Sequence, residues 1–200
     1  MDWRKVIKEE TENSGITMFP SASKKKKWYP YVILPFECRM SARFQKASIL
    51  ALKKLLKNCL KEATCILLPE AKAFLLAPFA MAINKDIVLL RKRDYHVKGQ
   101  FKIKQAKAYL EKKKGEVLYC LGLQPGDRPI LIDDVLSSGK TSIGIIKEAH
   151  KRGIRFAGVS AFYERGDGID NVRRETNYKA KAVARLEIID ERPRCLLHDL

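Results

Sequence analysis

From residue 41 to residue 189, short apolar runs alternate with longer amphipathic stretches. In residues 41–60, Phe44, Ser48, Leu52, Leu55, Leu56 and Cys59 fall near one helical face and lysines on the other, with Ser41 where a cap belongs. Ala63–Leu68 is an apolar run of strand length that stops at Pro69. Residues 71–84 predict a helix ending at Asn84, and Ile87–Leu90 a second strand. Residues 94–115 are polar, lysine-rich and aperiodic, which predicts a long mobile loop, and Glu116–Leu121 reads as a returning strand. Gln124-Pro125-Gly126-Asp127 is a turn by composition. Pro129–Ile132 is a third buried strand, residues 141–152 predict a helix that Gly153 is placed to end, and Phe156–Tyr163 and Ala182–Ile189 are two more strands. This alternation predicts an α/β fold with a central, mostly parallel sheet flanked by helices on both faces. Ligands bind such sheets beyond the carboxyl ends of the strands. The loops after Leu68, Leu90 and Ile132 are therefore expected to share one rim.

Residues 1–40 differ in texture. They hold the run Lys24–Lys27 and then an aromatic, proline-punctuated stretch, WYPYVILPFE. Loop and edge strand are expected, since Pro30 and Pro35 limit regular pairing. The division expected is a small N-terminal lobe or hood over 1–40 and a core domain over 41–200. Apolar residues make up 46% of the 200, enough for a core of its own. No run of about eighteen apolar residues is present, so no membrane span is expected, and MDWRKVIKEE lacks the apolar centre of a signal peptide. The five cysteines are scattered, odd in number and never spaced C-x-x-C. Free thiols in a reducing cytoplasm fit that usage, and a zinc site does not. His96, His150 and His198 show no metal-ligand spacing either.

Lys and Arg outnumber Asp and Glu by 40 to 23, a formal charge of +17 that points to a polyanionic partner. Charge does not decide between nucleic acid and a phosphate-rich small molecule. Residues 130–142, ILIDDVLSSGKTS, bear on that choice. An apolar strand delivers Asp133 and Asp134 to the sheet edge. A small, hydroxyl-bearing turn then leads through Gly139 into a helix. A helix start with a small-residue loop offers backbone N–H groups to a phosphate. Ser137, Ser138 and Thr141 add hydroxyls. The two carboxylates repel phosphate and suit ribose hydroxyls, so the stretch describes a ribose 5-phosphate site. Two plainer readings stand beside it. Gly139-Lys140-Thr141 matches the end of a P-loop, but position 134 is Asp where that motif needs Gly. An ordinary strand-turn-helix with surface acids is the other, and it leaves two acids at the end of a buried strand without a role.

ILIDDVLSSGKTS resembles the 5-phosphoribosyl-1-pyrophosphate (PRPP) signature of type I phosphoribosyltransferases. The flanks agree. Glu70, Ala71, Lys72 and Ala73 stand where that family has its short pyrophosphate-binding loop, with Ala73 in place of the usual Gly. Arg91-Lys92-Arg93 matches a basic cluster of its purine enzymes. Glu164-Arg165-Gly166-Asp167-Gly168 is similar to a stretch of the archaeal purine (hypoxanthine/adenine) enzymes. The similarity runs from about Lys27 to Asp190. It implies the type I phosphoribosyltransferase fold with a small N-terminal hood, and an enzyme of purine salvage. That enzyme would convert a purine base, adenine or a 6-oxopurine such as hypoxanthine or guanine, plus PRPP to the purine nucleoside monophosphate and pyrophosphate. Mg2+ is the implied cofactor, held largely through PRPP with Asp133 and Asp134 beside it. Asp133, Asp134, Arg91 and Glu111 are the implied catalytic residues. Glu70, Ala71, Lys72, Ala73, Arg91, Lys92, Asp133, Asp134, Leu136, Ser137, Ser138, Gly139, Lys140 and Thr141 are the implied binding residues. Ser137 stands where many 6-oxopurine enzymes carry Asp; the adenine and archaeal groups carry small residues there. The loop around Lys98–Lys114, with Tyr109 and Glu111, is expected to close over the site and exclude water. Trp28, Tyr29, Tyr31 and Phe36 either stack on the base or pack the lobe's edge.

A cytoplasmic homodimer is expected, with neither membrane nor nucleic acid as partner. Two alternatives remain: a PRPP-sensing regulatory protein that binds nucleic acid, which the charge and Lys24–Lys27 motivate, and an orotate-type phosphoribosyltransferase, against which Arg91–Arg93 speaks.

Overall fold

In this computed structural model, residues 1–20, 28–70, 73–104 and 117–200 are described. Five strands run parallel at the centre of an eight-stranded sheet. They are β3 (Cys65–Pro69), β4 (Asp86–Arg91), β7 (Ile130–Leu136), β8 (Gly158–Glu164) and β9 (Lys181–Ile189). β5 (Phe101–Lys104) and β6 (Val117–Cys120) extend one side and β10 (Arg192–Leu197) closes the other, all antiparallel, giving the order β10-β9-β8-β7-β3-β4-β6-β5. Ile66, Leu67, Leu68, Ile130, Leu131 and Ile132 are fully buried, as strands covered on both faces require. The expected α/β architecture is therefore the observed one.

Helices cover both faces. α1 (Trp3–Glu12), α2 (Ala42–Leu56) and α3 (Ala73–Ala82) bury Ile7, Phe44, Leu52 and Phe79 in one apolar cluster. α4 (Lys140–His150) and α5 (Gly168–Thr176) bury Ile145, Ile146 and Val172 in the other. Ser41 caps α2, accepting from the Phe44 N–H at 3.0 Å, and Gly153 ends the turn after α4 at φ 75°. Gln124 and Asp127 close their turn with a 3.0 Å backbone bond.

The structure departs from the sequence expectations in the N-terminal segment and in the polar stretch after β4. Residues 3–12 form a helix, not loop or edge strand. Asp2 caps it by accepting from the N–H groups of Arg4 and Lys5, and Thr11 bonds the buried Tyr163 hydroxyl. Strand does follow: β1 (Ile16–Pro20) and β2 (Trp28–Val32) form an antiparallel hairpin. The polar stretch 94–115, expected as one long loop, contains β5, which pairs with β6 in register Phe101↔Cys120. Gly168 opens helix α5, and the chain after β9 folds back as β10 across a turn in which Asp190 and Glu191 both take positive φ.

Candidate functional site

Parallel pairing carries the carboxyl ends of β3, β4, β7 and β8 to one rim: Pro69 aligns with Leu90, and Leu136 with Glu164. The loops after β3, β4 and β7 thus share the rim as the sequence leads one to expect. On its β7 side, the strand runs through both acids to Leu136 instead of stopping at Ile132. Successive strand positions project to opposite faces, so Asp133 and Asp134 part company. Asp134 is 5% exposed. Its charge reaches Tyr31 on the hairpin, whose phenol is pushed above its ordinary value by burial and by its 2.5 Å bond to Glu37. Asp133 is half-buried, and its carboxylate accepts from the Asp134 N–H at 3.0 Å.

The turn Ser137-Ser138-Gly139 then starts α4. Gly139 has φ 73°. A Cβ there would lie 2.8 Å from the Gly168 carbonyl oxygen and 3.0 Å from Val172, and a Cβ on Gly168 would lie 2.6 Å from the carbonyls of Leu136 and Ser137. Asn171 adds a hydrogen bond from its side-chain amide to the Ser138 carbonyl at 3.2 Å. The turn is thus wedged from behind by the start of α5. The glycine is required by this packing as well as by any ligand's approach in front. First-turn amides of a helix have no intrahelical acceptor, and the helix dipole favours an anion there. No side chain caps α4 at Gly139, and Thr141 and Ser138 remain half-buried beside that start.

Across the rim, Glu70 at the end of β3 holds the end of β4. Its carboxylate pairs with the Arg91 guanidinium at 3.2 Å and accepts from the Lys92 N–H at 3.1 Å. Arg91 Nε is buried with no hydrogen-bond partner among the described residues. Ala73 opens α3. Ala71, Lys72, Tyr109 and Glu111 lie outside the described residues. The sequence singled out Arg165 and Gly168 only as part of a stretch similar to archaeal purine enzymes and did not single out Asn171; the Gly-x-Gly spacing at 166 and 168 was the available signal. A cavity of about 580 Å3 lined by Lys54, Lys57, Ile169, Lys181 and His198 opens between the end of α2 and the start of β9.

The molecule's architecture has close counterparts among solved structures. The adenine phosphoribosyltransferase of Thermoanaerobacter pseudethanolicus superposes with a TM-score of 0.69 at 21% identity, over 88% of this chain and 98% of that one. The fold is that of the type I phosphoribosyltransferases. The Trypanosoma brucei adenine phosphoribosyltransferase, solved with AMP, pyrophosphate and ribose-5-phosphate, has the same phosphoribosyltransferase fold, with a TM-score of 0.69 at 18% identity over 92% of this chain and 79% of that one. In sequence the chain is similar to hypoxanthine/guanine phosphoribosyltransferases of archaea. It is 35% identical to that of Methanococcus vannielii over 119 residues, 58% of this chain and 62% of that protein. With that of Methanocaldococcus vulcanius it shares 37% over 112 residues, 55% and 59% of the two. The chain thus spans about three fifths of the length of the curated relatives it matches. No family model matches it.

Proposed function

We propose that this chain is a purine phosphoribosyltransferase: it joins a ring nitrogen of a purine to C1′ of PRPP as the bond from C1′ to pyrophosphate breaks. The carrying observation is the pairing, on one rim, of an acid pair and an amide-rich helix start with a separate arginine–lysine cluster. The first half suits a ribose 5-phosphate and the second a pyrophosphate. As the bond to pyrophosphate breaks, positive charge grows on the ribose and negative charge on the leaving group. In this reading Asp133 and Asp134, on the two faces of the strand end, serve the ribose hydroxyls and that growing positive charge, and the amides and hydroxyls of 137–141 the 5-phosphate. Arg91 and Lys92 answer the charge on the leaving group. The orphaned Arg91 Nε is a donor that such a ligand would satisfy.

Mg2+ belongs to the proposal. The two carboxylates are oxygen donors of the right class. Among the described residues there is no group of three or more metal-ligating side chains, so the ion would be shared with the ligand's phosphates, whose charge it would neutralise. A 6-oxopurine is favoured over adenine, because the relatives at 35–37% identity are named for hypoxanthine and guanine; the adenine enzymes share only the fold. A cytoplasmic homodimer is also proposed. Among the described residues no helix is long and apolar enough to cross a membrane.

The test is a panel of hypoxanthine, guanine, adenine, xanthine, uracil and orotate with PRPP, with and without Mg2+. Turnover of a 6-oxopurine is expected. A +17 charge motivates the nucleic-acid-binding regulator as a second reading. PRPP binding without turnover, together with salt-sensitive duplex binding, would favour that reading instead.

A further inference from the structure

Arg165 follows β8 directly, and it touches both the end of β7 and the β1–β2 hairpin. Its backbone N–H donates to the carbonyl of Leu136, the last residue of β7, at 3.1 Å. Its guanidinium Nη2 donates to the Pro30 carbonyl in the middle of β2 at 3.0 Å. The same guanidinium lies 5.9 Å from the centroid of the Tyr29 ring, within range of a cation–π attraction. The next residue, Gly166, lies against the Ser137 carbonyl, so Arg165 is fixed to the turn that opens α4.

Tyr29 carries the second observation. Its hydroxyl is buried and has no hydrogen-bond partner among the described residues. Burial raises its pKa, with Arg165 opposing, so the group stays a neutral hydroxyl able both to donate and to accept. Tyr29 and Tyr31 alternate with Trp28 and Pro30 along β2, and the two tyrosines are the less exposed pair. Tyr31 feels the charge of Asp134. Tyr29 thus shares the hairpin face of Tyr31, the face within range of the Asp134 charge, and its orphaned hydroxyl sits there.

From this geometry we infer that Arg165 is a positioning residue that locks the β1–β2 hairpin to the phosphate loop and so holds the Tyr29 hydroxyl for hydrogen bonding to the edge of the purine. This rests on the proposed function and names a residue that reads its base. Base and phosphate sites are then joined through a single side chain. The guanidinium is suited to the task because its planar fork donates to Pro30 while its face lies on a ring, whereas lysine supplies charge and a donor without the plane.

The experiment measures kcat and both KM values for Arg165→Ala, Arg165→Lys, Tyr29→Phe and the double variant Tyr29→Phe/Arg165→Ala, with amide hydrogen exchange over residues 28–32. Arg165→Ala is expected to raise the KM for the base about tenfold and the PRPP KM less than about twofold, because its backbone bond to Leu136 survives. Its hairpin amides should exchange about tenfold faster, with Arg165→Lys recovering part of both effects. Tyr29→Phe should raise the base KM and leave exchange unchanged. The double variant should be no worse than Arg165→Ala, since the two act as one unit. Unchanged exchange in Arg165→Ala overturns the lock, and multiplicative effects in the double variant overturn its action through Tyr29. A parent that turns over no purine overturns the proposed function and the role of Tyr29 with it, while the exchange data still judge the lock.

Discussion

Where β7 meets α4, backbone is wedged against backbone: Gly139 and Gly168 each lack a side chain that the other's neighbourhood would reject, and Asn171 ties the turn from beneath. Across the rim, where β3 and β4 end, the holding is done by charge, with Glu70 on Arg91 and on the Lys92 amide. The first side is rigid before any ligand arrives. The second is partly exposed and already neutralised by its own carboxylate, which a pyrophosphate would have to displace. A rim built this way keeps the retained half of a substrate in a fixed cradle and meets the departing half with groups that can change partners.

The largest effect is expected from Asp133→Asn/Asp134→Asn. Turnover should fall by about a hundredfold or more, because charge that answers the transition state is lost. Circular dichroism should remain that of the parent, and parent-level turnover would remove the ribose from this side. Gly139→Val should act on stability: a left-handed φ of 73° and a 2.8 Å approach to Gly168 imply a loss of about 2–4 kcal/mol in urea unfolding. A small loss would show that the turn is not rigid. Arg91→Ala should leave stability within about 0.5 kcal/mol, lower turnover about tenfold and weaken inhibition by pyrophosphate. Glu70→Gln should move that inhibition the other way, since the competing carboxylate is gone; equal inhibition in both variants would dissolve the contrast between the two sides.

The smallest effect concerns thiols, none of which belongs to either side. Burial pushes Cys120 up to about 12 and Cys195 up to about 11, so both stay protonated and inert at pH 8, while Cys38 is exposed. A thiol reagent should modify Cys38 first and leave turnover intact, with Cys120 and Cys195 reacting only on unfolding. These thiols ionise near 9 in the unfolded chain and higher in the folded one. Their contribution is complete below pH 9 and is lost as the pH climbs toward 11 and 12.

The central strands were legible because each is a short apolar run stopped by proline, glycine or charge, and burial on both faces leaves no room for polar residues. ILIDDVLSSGKTS was legible for a related reason: its strand, turn and helix start are contiguous. What stayed hidden depends on partners far away in sequence. α1 shows apolar residues only at Trp3, Val6 and Ile7, and its fourth inward position is Thr11, which makes sense only opposite Tyr163. β5 has two inward residues, Phe101 and Ile103, too few to declare a strand before β6 lies beside it. Arg165 stands 135 residues from the carbonyl it holds. Its neighbours matched a known stretch, but its reach to the hairpin is a property of the folded chain alone.

The docking of α1 bears on how the polypeptide is made. Thr11 meets Tyr163 across 152 positions, and Glu12 accepts from the Cys195 N–H across 183. At ribosomal speeds of about 5–20 residues per second, the first helix waits on the order of ten to forty seconds for the strands that receive it. Until those strands are made, α2 is the element it can pack against. Contacts of this range are also among the last to form in refolding from denaturant. Seating α1 on the sheet is therefore a late step of assembly, and nascent chains stalled before β10 should hold it against α2 alone and leave it more open to proteases and chaperones.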